Sequence, residues 1–210
     1  MTTGRTDTKF SERLREATKH AHAGAQGSAF VRELFAGKLN RGLYSRMVAQ
    51  HYFIYAALED TAATMSSDPT ARAFLAPELA RVPSLERDLE FLLGDAWRDQ
   101  VAPTAATVAY VERISETAGD SAGFVAHHYV RYLGDLSGGQ HIARAIAKAL
   151  DLDADGVRFY LFEEIGDPNV FKDRYRAALD EAVWDEPRRE ALIAEALAAY
   201  ELNTRVMLEL

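Results

Sequence analysis

The chain has 210 residues, a length typical of one large domain, and 48% of them are hydrophobic, enough for a substantial core. Its formal net charge of −8 argues against a general affinity for nucleic acid, and the absence of cysteine excludes disulfides, thiolate metal ligands and a cysteine nucleophile. Since it contains no apolar run of about eighteen residues, we expect a cytoplasmic protein with no membrane partner and a flexible N-terminus at residues 1–8.

The hydrophobic pattern predicts an all-α fold in a single domain over residues 1–210. Apolar residues recur at spacings of three and four through nearly the whole chain, whereas the alternation typical of strands is missing. In chain order, the expected helices span about residues 10–25, 28–39, 43–65, 70–80, 83–100, 103–119, 121–150, 170–183 and 186–208. An interruption of the helix at 83–100 by Gly94 is left open.

The first helix carries two histidines beside its expected buried stripe. His20 and His22 lie about 100° to either side of the centre of that stripe, and each has an arginine seven positions upstream, Arg13 or Arg15. Helix geometry therefore does not choose between them, and a lone histidine at a helix edge is more often solvated than a ligand. The expected stripe consists of Phe10, Leu14, Ala17, Ala21 and Ala25.

The helix predicted at residues 121–150 contains three glycines, Gly134, Gly138 and Gly139. Each glycine in a helix interior costs about 1 kcal/mol relative to alanine. We therefore expect a helix that bends at its glycines and exposes bare backbone on one side, where a flat or bulky group can approach.

Polar side chains share the glycine-bearing face of this helix around Asp135. One interpretation is close helix packing over small residues, with Asp135 and Arg131 forming a local ion pair. The other is a ligand site, which we favour because such groups are rarely buried without partners. The residues predicted to share the face of Asp135 are His128, Arg131, Tyr132, Gly138 and Gly139.

Several common catalytic motifs are missing from the sequence. It has no Walker glycine loop, no His-Glu-x-x-His and no Glu-x-x-His. Gly-x-Ser-x-Gly occurs once, at residues 119–123, but it lies between two predicted helices and does not follow a strand, so it does not predict a nucleophile elbow. Phosphate, acyl-transfer, zinc-protease and di-iron bundle chemistries therefore lose their usual sequence markers.

Two segments carry a resemblance to a known family. Residues 127–140, HHYVRYLGDLSGGQ, strongly resemble the distal-helix signature of haem oxygenases. Residues 14–22, LREATKHAH, are similar to the family's proximal helix, whose register places the iron-ligating imidazole at His22. The resemblance covers nearly the whole chain in the expected order, with further matches at residues 55–59, 159–162 and 171–176.

This resemblance implies a multi-helix fold that holds haem between a proximal helix and a glycine-kinked distal helix. It implies an enzyme that uses dioxygen and reducing equivalents to open haem b into biliverdin, carbon monoxide and ferrous iron, by default at the α-meso carbon. Haem is then both cofactor and substrate. The alternatives are a haem carrier or gas sensor on the same fold, which does not degrade haem, and an all-α interaction module without haem.

The resemblance also implies roles for individual residues. Neutral His22 binds the iron, and Asp135 organises distal waters that supply a proton during oxygen activation. The other expected members of this hydrogen-bond network are Arg131, Tyr55 and Asn203.

Further residues are expected to hold the haem itself. Gly134 and Gly138 allow the distal backbone to lie against the macrocycle, and Thr18 and Gln26 contribute from the proximal helix. The expected propionate contacts are Arg15, Tyr129, Lys172 and Arg176.

The chain departs from the family pattern at Gln26, where the family usually has a glutamate that accepts the N–H of the ligating imidazole. An amide oxygen carries no full negative charge, so the imidazole becomes a weaker electron donor. We expect a somewhat higher iron reduction potential than in relatives that have glutamate.

Electrons must come from a separate protein, since no flavin or nicotinamide fingerprint is present in the sequence. We expect a ferredoxin or a reductase, received by a basic surface around the haem mouth.

Overall fold

The structure, a computed structural model, describes residues 8–26, 33, 34, 36 and 38–210, with residues 23–26 described through their backbone alone. Within these residues the regular structure is entirely helical, which confirms the predicted all-α class. Most of the predicted helix at 28–39 and nearly all of the expected flexible N-terminus lie outside the described residues. The α-helices are α1 (Phe10–Gln26), α2 (Arg41–Thr64), α3 (Pro69–Arg72), α4 (Val82–Leu93), α5 (Ala105–Glu116), α6 (Ser121–His128), α7 (Gly134–Leu150), α8 (Pro168–Glu181) and α9 (Glu186–Leu208).

Two long helices, α2 and α9, organise the packing. Helix α2 packs against α4 and α5, while α9 packs against α1, α5 and α6. Because α9 touches both α1 and α6, it fixes these two helices relative to each other. Among the described residues, no helix combines the length and apolarity that a membrane span requires.

Most of these helices begin at a side chain that caps their free backbone N–H groups. Asn40, for example, accepts a hydrogen bond from the Leu43 N–H at 2.9 Å at the start of α2. The corresponding caps of α3, α5, α6, α8 and α9 are Asp68, Thr104, Asp120, Asp167 and Asp185.

Two predicted helices are shorter in the structure because a residue stops each of them. The segment predicted as 70–80 is helical only at Pro69–Arg72 and resumes as a 3₁₀ turn at Pro77–Leu79. Pro77 forces the preceding residue, Ala76, into an extended conformation (φ −140°, ψ 122°). The segment predicted as 83–100 ends at Gly94, whose φ of +87° lies in the left-handed region.

The buried stripe of α1 is displaced by one position from its predicted centre. Ala17 is exposed, whereas Thr18 is only 2% exposed. A threonine can be buried here because its hydroxyl donates to the Leu14 carbonyl at 2.9 Å. With the stripe centred on Thr18, His22 is half-buried and His20 is exposed.

Residues 121–150 are helical throughout, and we call them the glycine helix. Its departure from α geometry is a π-helical segment at Tyr129–Leu133, which joins α6 to α7 directly before the glycines. π-Bulges of this kind are frequent at functional sites. The glycines themselves continue in α conformation within α7.

Candidate functional site

A cleft of about 360 Å³ opens between α1, the glycine helix, α8 and α9. Its volume falls in the usual range of small-molecule sites, about 300–1,000 Å³. The lining residues are Ser11, Arg15, Glu16, Thr18, Lys19, His22, Tyr129, Leu133, Gly134, Ser137, Arg176 and Tyr200.

His22 is the histidine of α1 that faces this cleft. Its ring stands edge-on to Tyr200, with the ring centroids 6.1 Å apart and the planes at 88°. His20 is exposed and does not line the cleft. The structure thus distinguishes two histidines that helix geometry alone leaves equivalent.

The three glycines of α7 have different surroundings. A Cβ added at Gly134 or Gly138 would meet no atom within 4 Å, so the backbone there borders open space. A Cβ at Gly139 would lie 3.0 Å from Cδ1 of Tyr160. The packing interpretation therefore holds for Gly139, whereas the other two glycines leave room for a ligand.

Asp135 belongs to a hydrogen-bond network that four helical segments build. Tyr55 of α2 donates to Asp135 Oδ2, and Arg131 Nη2 of the π segment lies 3.9 Å from the same oxygen. Arg131 Nη1 in turn donates to Oδ1 of Asn203 on α9, and its guanidinium lies 5.1 Å from the centre of the Tyr55 ring. The four residues expected to form a network therefore do lie together.

The protonation states in this network follow from burial and charge. Burial raises the pKa of Asp135, and this rise is opposed by the positive charge of Arg131 and by the hydrogen bond from Tyr55. Burial and then the charge of Asp135 raise the pKa of Tyr55, so its phenol stays protonated and donates. Burial alone would lower the pKa of Arg131, but Tyr55 and Asp135 raise it overall, and Arg131 stays cationic.

Two arginines, Arg15 of α1 and Arg176 of α8, lie at the mouth of the cleft. The positive charges of both act on the hydroxyl of Tyr129, which lines the same cleft. Burial raises the pKa of the Tyr129 hydroxyl, while Thr18, Arg176 and Arg15 lower it. Arg176 Nη1 also donates to Asp173 Oδ1 at 2.7 Å. Such a pair of guanidinium groups around a hydroxyl is suited to carboxylates.

Three expected haem contacts are not among the lining residues, and Gly138, one turn beyond Gly134, is the first of them. Lys172 is half-buried on α8, one turn before Arg176, and does not line the cleft. The side chain of Gln26 lies outside the described residues.

His128, which the ideal helical wheel places on the face of Asp135, hydrogen-bonds instead to the hydroxyl of Tyr175 at 2.9 Å. The π segment between positions 128 and 135 changes the helical register that the wheel assumes.

Sequence reasoning missed Tyr200, which lines the cleft beside His22. Tyr200 lies three positions before Asn203, so the two share a face of α9. A helical wheel centred on Asn203 offers the signal that would have identified it.

Comparison with known proteins gives a consistent result over almost the full length. The family model described as Heme oxygenase matches residues 8–209. Heme oxygenase 1 of Synechocystis is 37% identical over 202 residues, which are 96% of this chain and 84% of that protein.

Solved structures agree with the sequence comparison. The crystal structure of heme oxygenase-1 from Synechocystis in complex with heme matches with a TM-score of 0.92 at 36% identity, over 96% of this chain and 92% of that one. The structure of heme oxygenase from Leptospira interrogans matches with a TM-score of 0.91 at 35% identity, over 97% of this chain and 100% of that one.

Proposed function

This chain belongs to the haem oxygenase family, and from that premise we propose the roles of its individual residues in the degradation of haem. The protein is a haem oxygenase, with haem as substrate and cofactor, and the comparisons do not favour the alternative of a carrier or sensor that leaves haem intact. We propose that residues 1–210 act as one domain and that the products are biliverdin, carbon monoxide and ferrous iron.

We propose that haem b lies in the cleft with its iron bound by His22. Bound haem supplies the iron that activates dioxygen, and its own macrocycle is the group that is oxidised. The observation that carries this placement is that one cleft has both a half-buried imidazole and bare backbone, at Gly134, facing open space. Gly138 extends that bare surface by one turn, and Tyr200 supports the imidazole from the side.

Asp135 is the catalytic residue in this proposal. Its contacts with Tyr55 and Arg131 both involve Oδ2, and among the described residues Oδ1 has no such partner. Oδ1 is therefore the atom that we propose to hold the water from which a proton is supplied. A chain of contacts keeps the carboxylate in place. Asn203 accepts a hydrogen bond from Arg131, and the guanidinium of Arg131 lies against the ring of Tyr55.

The haem propionates are carboxylates and need cations at the mouth of the cleft. Arg15, Arg176 and the Tyr129 hydroxyl line it and are positioned to bind them. Lys172, half-buried one turn before Arg176, is close enough in sequence to join them with a change of rotamer. Thr18 hydrogen-bonds to the Tyr129 hydroxyl, and we propose that Gln26, whose side chain lies outside the described residues, accepts the N–H of His22.

Electrons come from a separate donor, a ferredoxin or a reductase, and dioxygen is the second substrate. Arg15, Lys19 and Arg176 line the cleft, and Lys9 lies in an adjoining groove with Arg15 and Arg176. Lys19 and Arg176 are paired with Glu16 and Asp173, so Arg15 and Lys9 are the cations that we propose to attract an acidic donor to the haem mouth. The reduction rate should then fall as salt rises. We infer a cytoplasmic setting, where reduced carriers of this kind are produced.

Product chromatography after turnover tests the proposed function most directly. The protein is loaded with haem and supplied with a reducing system and dioxygen, and the tetrapyrrole products are separated. We expect loss of the haem absorption band and one dominant biliverdin isomer, the α isomer by default. A stable haem complex that yields no biliverdin would favour the carrier instead.

A further inference from the structure

A short segment that lines no part of the cleft, residues 156–160, packs against Tyr55, and we call it the aromatic turn. Its last three residues, Arg158–Tyr160, form a 3₁₀ turn. Phe159 is 1% exposed, and its ring stands edge-on to the ring of Tyr55, with the centroids 5.2 Å apart and the planes at 69°. Because Tyr55 donates to the carboxylate of Asp135, a displacement of Phe159 moves the phenol that holds this carboxylate.

Two consecutive peptide N–H groups of the aromatic turn donate to one carboxylate, that of Asp88 on α4. The N–H of Arg158 donates to Oδ1 and the N–H of Phe159 donates to Oδ2, each at 2.9 Å. Asp88 is completely buried. Burial raises the pKa of Asp88 to about 6, against the hydrogen bonds from the aromatic turn, so the carboxylate is ionised at neutral pH. A buried charge is therefore kept at this contact although burial disfavours it.

A carboxylate is suited to this contact because two adjacent N–H groups need two acceptors. Ionised aspartate offers an acceptor at both oxygens, whereas asparagine of the same shape offers one oxygen and turns an N–H₂ donor toward the second N–H. Hydrogen bonds to an ionised acceptor are also stronger than those between neutral groups. The charge of Asp88 therefore fixes two successive peptide units of the aromatic turn.

The carbonyl groups of the aromatic turn are held by other side chains. Tyr44 of α2 donates to the Gly156 carbonyl at 2.6 Å. The remaining two donors are Arg81, before α4, to the Phe159 carbonyl at 3.2 Å, and Gln140, on α7, to the Tyr160 carbonyl at 2.8 Å. Among the described residues, however, Asp88 is the acceptor for the N–H groups of Arg158 and Phe159. The position of the Phe159 ring therefore depends on this carboxylate as well as on packing.

We propose that Asp88 is a positioning residue for haem degradation. Its two hydrogen bonds hold the aromatic turn, so that Phe159 stays against Tyr55. Tyr55 in turn keeps the carboxylate of Asp135 in one orientation. Asp88 does not line the cleft, so it contributes to the geometry of proton supply and not to the binding of haem. The effect on turnover rests on the role proposed above for Asp135.

Carbon NMR of the aspartate side chains in ligand-free protein tests this chain of contacts without haem. Burial raises the pKa of Asp135, and the hydrogen bond from Tyr55 is one of the contacts that lower it. In Asp88→Asn we expect the pKa of Asp135 to rise, because Tyr55 is released. Loss of the Asp88 charge by itself would lower that pKa, so a rise reports movement of Tyr55.

Two further variants complete this measurement. Asp88→Leu keeps the branched shape, removes both acceptors and suits a completely buried position, so it gives the same test if asparagine prevents folding. Glu90→Gln, at an exposed acid of the same helix, is the matched control and should leave the pKa of Asp135 at the parent value. A pKa of Asp135 that does not rise in the Asp88 variants overturns the proposal, whatever Asp135 does in catalysis.

A double-mutant cycle with Phe159→Leu tests whether the effect on turnover passes through this ring. We expect Asp88→Asn and Phe159→Leu each to lower kcat about tenfold, the rate equivalent of one lost hydrogen bond, with unchanged haem affinity. The double variant should be no slower than Phe159→Leu alone, because the two changes break the same chain of contacts. Losses that multiply in the double variant, or equal kcat in Asp88→Asn and Glu90→Gln, overturn the positioning role.

Discussion

The hydroxyl of Tyr55 on α2 donates a hydrogen bond to Asp135 on α7, 80 residues further along the chain. Tyr55 is completely buried, and its ring stands edge-on to Tyr132 and Phe159, with centroids 5.1 Å and 5.2 Å away. Because the phenol cannot move without disturbing the core, it fixes the orientation of the carboxylate. Asp135 therefore has a rigid support although it lies on the less buried side of its helix.

Replacing this carboxylate should separate haem binding from catalysis. In Asp135→Ala we expect haem to bind with near-normal affinity, because Asp135 is not among the residues that line the cleft. Biliverdin formation should fall by a factor of about 100 or more, the usual contribution of a positioned proton donor. Product chromatography measures this fall in biliverdin formation. Asp153→Ala, which removes an exposed acid in a loop, is the control and should leave turnover normal.

The helices could be predicted from the sequence because their hydrophobic period persists over many turns. The ends of the helices were predictable only where a proline or glycine was taken to end a helix although the hydrophobic period continues beyond it. Pro77 and Gly94 each interrupt an otherwise helical pattern. The prediction extended one helix past Pro77, and for the other it left open an interruption at Gly94, where the helix does end. A polar residue such as Asn40 sets the start of α2 through its side chain, which apolar periodicity does not register.

The network around Asp135 was predictable through the family signature, since the signature fixes the register of Arg131 and Asp135. The surroundings of each side chain were not predictable. Thr18 is buried in place of Ala17 because its hydroxyl finds a carbonyl in the preceding turn, and no hydropathy pattern ranks threonine above alanine. Tyr200 joins the cleft through packing of α9 against α1, which is a tertiary contact.

The two histidines of α1 offer a matched pair for the iron ligand. His22 lines the cleft and His20 is exposed two positions away. We expect His22→Ala to lose the absorption and resonance signatures of a histidine-bound ferric haem, and added imidazole to restore them. His20→Ala should behave like the parent protein. The assignment is wrong if the two variants exchange these behaviours.

The arginines at the cleft mouth should control which meso carbon is attacked. Arg15 and Arg176 come from different helices, so together they fix the rotation of haem about the axis of its iron ligand. In the double variant Arg15→Gln, Arg176→Gln we expect a mixture of biliverdin isomers and weaker haem binding. Arg144→Gln with Lys148→Gln removes the same charge from an exposed part of α7 and should keep a single isomer. An unchanged isomer pattern in the first double variant would contradict the assignment.

Acid should destabilise the ligand-free protein through His128. Burial lowers the pKa of His128 from 6.5 to about 3 in the folded protein, so between these values the unfolded chain binds more protons. Its contribution to stability is complete above pH 6.5 and is lost as the pH falls toward 3, at up to about 1.4 kcal/mol per pH unit.

Denaturant unfolding between about pH 7 and pH 5 measures this contribution. In His128→Gln the free energy of unfolding should fall less steeply with acid than in the parent, whereas His20→Gln, at an exposed position, should keep the parent slope. Asp88, whose pKa burial raises to about 6, gives a slope of opposite sign that is common to all three proteins. Identical slopes in the three would show that His128 titrates normally when folded.

Adding one methyl group at neighbouring glycines should have opposite effects on stability. A Cβ at Gly138 meets no atom within 4 Å, so Gly138→Ala should raise the unfolding free energy of the ligand-free protein by about 1 kcal/mol through helix propensity. A Cβ at Gly139 lies 3.0 Å from the buried ring of Tyr160, whose backbone carbonyl also accepts from Gln140 at 2.8 Å. Gly139→Ala should therefore destabilise the protein, since overpacking costs about 1–3 kcal/mol.

The same pair also tests where the macrocycle lies. The methyl of Gly138→Ala projects into the space that haem is proposed to occupy, so haem binding should weaken in the variant whose ligand-free form is the more stable. Thermal unfolding without haem and haem titration measure the two effects separately. If Gly138→Ala binds and degrades haem like the parent, the bare backbone at this position has no part in the site, because a methyl group could not be added to a surface in contact with the ring without displacing it.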